Sequence, residues 1–128
     1  MIGIETLHHV SVCVTHLARA KQFYTGVLGL VEKPRPDFEF GGAWYQIGAS
    51  QELHLIVHDA PGTLRGTTAI DIKDGHLAFR VTSYEETVER LRGHGIEMLE
   101  LPRNKTPWAQ IYVTDPDGNI IELNAERV

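Results

Sequence analysis

GHLAFRV, residues 75–81, has a counterpart in HHVSVCV, residues 8–14. Each carries a histidine at its head, alternates apolar and polar positions, and leads into a stretch of helical spacing. In the earlier segment Val10, Val12 and Val14 point one way and His9, Ser11 and Cys13 the other. In the later one Leu77, Phe79 and Val81 oppose His76, Ala78 and Arg80. Thr15 is placed to cap a helix through about Val27, with Leu17, Ala20, Phe23, Tyr24 and Val27 on one side and Gly26 and Gly29 at its end. Ser83 and Glu86 have the spacing of a capping box. They open a helix to about Arg92 whose stripe is Tyr84, Val88 and Leu91, ended by Gly93 or Gly95.

Working outward, each helix is followed by strand candidates. They are AWYQIG and ELHLIV in the first half, and WAQIYVT and NIIELN, flanking the turn formers DPDG, in the second. HDAPGTLRGT, residues 58–67, reads as a linker. Strand, helix and two or three strands are thus written twice, over about 5–58 and 74–126, joined by 59–73. The expected fold is α+β, a single domain over 1–128 built from two repeats of that order. A displacement of 67 residues puts His9 on His76, Thr15 on Thr82, Tyr24 on Leu91 and Gly26 on Gly93. Each copy alone is too small to bury its apolar face well.

The last strands extend the repeat. A displacement of 68 carries His54 onto Glu122. Each copy therefore offers one ligand-type residue on its first strand and one on its last, out of phase with the neighbouring apolar residues. A single strand histidine is most often a hydrogen-bonded groove or core residue, but four positions agree here in repeat phase and face. Three imidazoles and one carboxylate suit one divalent ion, Zn, Ni, Co, Mn or Fe. Positions left open on such an ion allow a bound oxygen to be polarised.

Composition bounds the partners. The 128 residues carry a net charge of −5, so no basic face for nucleic acid is expected. No apolar run approaches the ~20 residues needed to span a bilayer, and MIGIETLHH lacks the pattern of a secretory signal. These features predict a cytoplasmic protein acting on a small-molecule substrate. Cys13, the single cysteine, permits neither an internal disulfide nor a cysteine-based zinc knuckle, and reads as a small buried thiol.

LHHVSV, FYTGVLGL, GHLAFRV and DPDGNIIEL together resemble the vicinal oxygen chelate superfamily, which includes glyoxalase I, bleomycin-resistance proteins, fosfomycin-resistance enzymes, methylmalonyl-CoA epimerase and extradiol dioxygenases. The resemblance covers almost the whole chain. It implies two βαβββ modules forming a cupped mixed sheet around a metal-binding groove, with His9, His54, His76 and Glu122 as ligands, and a homodimer. It also implies chelation of a substrate through adjacent oxygens while a base moves a proton, Glu122 being the candidate base. A lactoylglutathione lyase-like isomerase fits best. A metal-dependent dioxygenase and a metal-free drug-binding protein of the bleomycin-resistance type are the alternatives. Bacterial glyoxalase I has a glutamate where this chain has His54, which predicts that a two-carboxylate mechanism is not available.

Further residues are candidates for substrate contact. Arg80 shares the parity of His76 and either holds a substrate carboxylate or phosphate or pairs with a surface carboxylate. Trp44, Tyr45 and Trp108 either wall a pocket or belong to the core. His8 is expected to serve packing or to bond a ligand histidine, and PRNKTP, residues 102–107, either covers the site or is a solvated loop.

Overall fold

The structure is a computed structural model and describes residues 1–59 and 67–127. The chain divides into two compact units, Met1–Pro61 and Gly62–Val128. Of the expected 59–73 linker, residues 60–66 lie outside the described residues, and its described part, 59 and 67–73, forms no helix or strand.

In the first unit β1 (His9–Val14) is followed by helix α1 (Leu17–Lys21), then by β2 (Val31–Lys33), β3 (Gly42–Ile47) and β4 (Gln51–Val57). The sheet order is β1-β4-β3-β2. β4 lies parallel to β1 and antiparallel to β3. α1 continues as a π-helical segment over Gln22–Val27. Its cap differs from the expectation: His16, not Thr15, accepts the Arg19 backbone N–H through Nδ1 at 3.2 Å. Thr15 instead accepts from the Arg19 guanidinium. Gly29, at φ 74°, takes the chain out of the helix in a conformation that costs glycine nothing.

The second unit repeats the order with β5 (Leu77–Arg80), α2 (Tyr84–Gly93), β6 (Leu99–Leu101), β7 (Trp108–Thr114) and β8 (Ile120–Glu126), paired as β5-β8-β7-β6. Ser83 caps α2 by accepting the Glu86 N–H, as the S-x-x-E spacing predicts. Between β7 and β8 the buried Asp115 carboxylate accepts the backbone N–H groups of Asp117 and Asn119, both at 2.9 Å. That accounts for the turn at DPDG.

Each unit is therefore a four-stranded mixed sheet with few helices, an α+β architecture. Period-two alternation divides its faces. In the first unit Val14, Ala43, Tyr45, Leu53 and Leu55 are buried together with Ala20, Phe23 and Tyr24 of the helical segment. In the second, Ala109, Ile111, Val113, Ile121, Leu123 and Ala125 form the apolar face, with Val88 and Leu91 of α2 buried too. The other face of each sheet carries His9 and His54 in the first unit, and Gln110, Glu122 and Asn124 in the second. Among the described residues no helix is long and apolar enough to cross a membrane.

Candidate functional site

On the polar face of the first sheet, the parallel register sets His9 opposite Glu52 and Ser11 opposite His54. His54 is thus diagonal to His9, and their rings stack with centroids 4.1 Å apart. Trp44, paired with His54 across β3 and β4, stacks on it at 4.3 Å with planes 9° from parallel. His54 is 9% exposed and Glu122 5%. His8 shares a hydrogen bond with His9, Nδ1 to Nδ1 at 2.9 Å.

Tyr45 is corrected. One residue from Trp44, it faces the opposite side, is fully buried, and shares a hydrogen bond with Thr25 of the helical segment. Adjacent strand residues cannot both line one wall. Burial raises the Tyr45 pKa, against the lowering effect of the bond to Thr25.

Glu52 was not anticipated, although it shares the parity of His54. His54 donates through Nε2 to Glu52 Oε1 at 2.8 Å, and Lys33 donates to Glu52 Oε2 at 2.6 Å. These bonds, His54 first, hold the Glu52 carboxyl down at about 2. A second carboxylate therefore stands on the ligand-bearing strand, with its two oxygens engaged by His54 and Lys33.

The second unit shows the same diagonal. Ala78 pairs with Glu122 in the parallel β5–β8 register, as Ser11 pairs with His54. His76, just ahead of β5, reaches Glu122 Oε1 through Nε2 at 3.3 Å. Its Nδ1–H donates to the Asp74 carbonyl at 2.8 Å. In the neutral ring Nε2 then carries a lone pair that faces a carboxylate oxygen, an arrangement relieved by a proton or a cation between them.

Glu122 is the end point of two donor chains. Asn104 donates to Gln110, Gln110 to the Tyr112 hydroxyl, and Tyr112 to Glu122 Oε1 at 2.9 Å. From the other side Arg80 Nε donates to Asn124, and Asn124 donates to Glu122 Oε2 at 2.6 Å. Burial pushes the Glu122 carboxyl up, but the bonds led by Asn124 and Tyr112 hold it below the usual range. Burial and the adjacent carboxylate push the Tyr112 hydroxyl up to about 12, so it stays a donor. Gln110, Tyr112 and Asn124 are buried residues that the sequence reading passed over. Asn124 alone carried a signal, its parity with Glu122 along β8.

Arg80 also lies over the Trp108 ring at 5.7 Å and 3.5 Å from Glu126. The Trp108 indole Nε1 is buried without a hydrogen-bond partner among the described residues. The PRNKTP segment is strapped by Arg127, which donates to the carbonyls of Pro102, Asn104 and Thr106. Cys13 is half-buried on the polar face.

Among the described residues no three His, Cys, Asp or Glu side chains form a ready cage for a metal ion. Each unit instead presents a pair, His9 with His54 and His76 with Glu122. Their chemistry fits a borderline divalent ion: imidazole nitrogens, one carboxylate held ionised, and a His76 ring whose Nδ1–H bond to Asp74 turns Nε2 toward Glu122.

The profile of the Glyoxalase/Bleomycin resistance protein/Dioxygenase superfamily matches residues 6–123. Glyoxylase I 4 of Arabidopsis thaliana is 32% identical over 125 residues, covering 95% of this chain and 71% of the relative. A glyoxalase family protein from Bacillus anthracis has a similar structure, with a TM-score of 0.81, 28% identity and 99% of each chain covered. A variant of the fosfomycin resistance protein FosX from Listeria monocytogenes, complexed with Mn(II) and 1S,2S-dihydroxypropylphosphonic acid, has a TM-score of 0.75 at 22% identity. That comparison covers 98% of this chain and 95% of the other, and it shows likeness of fold alone.

Proposed function

The chain belongs to the Glyoxalase/Bleomycin resistance protein/Dioxygenase superfamily, and on that premise we propose a divalent-metal-dependent enzyme of the glyoxalase type. Its reaction is a proton shift on a small oxygenated substrate, of the lactoylglutathione lyase kind. The observation that carries this reading is the repeated diagonal: a histidine and a second donor stand in the same register relation in both sheets. His9, His54, His76 and Glu122 are the proposed metal ligands. The Mn(II) bound to the FosX variant supports a divalent metal here.

When bound, the ion supplies Lewis-acid stabilisation of negative charge developing on substrate oxygens. The proton is handled by Glu122, which takes it from a carbon next to a carbonyl and returns it to the neighbouring carbon. Tyr112 and Asn124 each bond one of its oxygens and hold the carboxylate in one orientation. Arg80 is the proposed holder of an anionic group of the substrate, and Trp44 and Trp108 the proposed pocket walls.

The test is metal content of untagged protein followed by turnover of the hemithioacetal of glutathione with each of Zn, Ni, Co, Mn and Fe. Metal-dependent product formation is expected, and Glu122→Gln should lower kcat by at least about 100-fold with the fold unchanged. Oxygen consumption with Fe or Mn would move the assignment to a dioxygenase. Absence of stoichiometric metal would move it to a drug-binding protein.

A further inference from the structure

We infer that Glu52 is a positioning residue: its carboxylate accepts a hydrogen bond from His54 Nε2–H and so commits Nδ1 of that ring as the atom that binds a metal. The inference rests on the metal-dependent reading above and adds to it a residue outside the proposed ligand set.

The geometry is specific. Glu52 and His54 are two residues apart on β4 and share its polar face. The Nε2 to Oε1 distance is 2.8 Å, a full hydrogen bond. An ionised carboxylate only accepts, so the ring nitrogen facing it must carry the proton, and a neutral imidazole keeps its lone pair on the other nitrogen. Lys33 bonds the second oxygen at 2.6 Å and prevents the carboxylate from turning away. Trp44 and His9 stack on the His54 ring and limit its rotation. The register makes the feature asymmetric between the repeats: Glu52 lies opposite His9, one pleat before His54, whereas one pleat before Glu122 stands the buried, apolar Ile120. His54 thus receives by carboxylate the orientation that His76 receives from the Asp74 carbonyl.

The experiment combines nitrogen-15 NMR of the imidazoles in metal-free protein with Zn(II) titration of the wild type, Glu52→Gln and Glu52→Ala. The wild type should show His54 protonated at Nε2. Glu52→Gln keeps a carbonyl acceptor and should keep that tautomer and an affinity within about 5-fold of wild type. Glu52→Ala should mix the tautomers and weaken Zn(II) by about 10- to 100-fold. His54 protonated at Nδ1 in the wild type overturns the inference. So does an equal loss in both variants, which would make Glu52 itself a ligand. A wild type that holds the Nε2 tautomer yet binds no metal overturns the metal reading while leaving the hydrogen bond intact.

Discussion

Trp44 and His54 lie face to face across β3 and β4, with ring centroids 4.3 Å apart. His9 stacks on the same imidazole from β1, so His54 sits in an aromatic slot rather than on a free strand surface. Ring orientation at this position is set before any ion arrives. Trp44→Ala is expected to weaken divalent-metal binding by about 3- to 10-fold, the worth of one aromatic stack. Trp44→Phe should keep most of the affinity. Titration calorimetry with Zn(II) checks both.

Asn124 joins Arg80 to Glu122 through the two ends of one amide. Asn124→Leu leaves a buried carboxylate and a guanidinium each short of a partner. The expected loss is about 1–3 kcal/mol of stability, measured by urea unfolding. An anionic substrate should show a raised KM, because Arg80 is no longer held.

Tyr45 makes stability depend on high pH. Its pKa is raised in the folded chain, so the unfolded chain loses the phenolic proton first as pH rises through about 10. The stability contribution is present below that pH and falls above it. Tyr45→Phe should cost about 1 kcal/mol at pH 7 through the lost Thr25 bond, yet show a shallower decline between pH 9 and about 11. Thermal melts across that range test the sign.

Gly42 pairs with Ile56 where β3 meets β4, and a Cβ there would overlap the Leu55 carbonyl oxygen. The obstacle is backbone, which cannot step aside without breaking the ladder. Gly42→Ala is expected to destabilise the chain by about 2 kcal/mol or more. It should also loosen His54, read as lower amide exchange protection along β4.

Much of this was legible in the chain because strand parity is a local property. The alternations at His9 and His76, the capping box at Ser83 and the DPDG turn each follow from a few consecutive residues. The same parity already separates Trp44 from Tyr45 and places Glu52 beside His54, so those two readings were within reach and were missed. The His16 cap was not within reach, because a histidine and a threonine side by side compete for one helix end and local geometry selects between them. Nor could the donor chains ending on Glu122 be read. Gln110, Tyr112 and Asn124 become partners only when β7 and β8 pair in one register.

The sequence by itself determined which side chains share a face, and that the pattern occurs twice, since both depend on spacing along one strand. Tertiary structure decided which strands are neighbours. Setting β4 beside β1 in parallel brings His54 diagonal to His9, so that the two rings stack. Which of those side chains meet across neighbouring strands is decided by that register, and no run of consecutive residues encodes it.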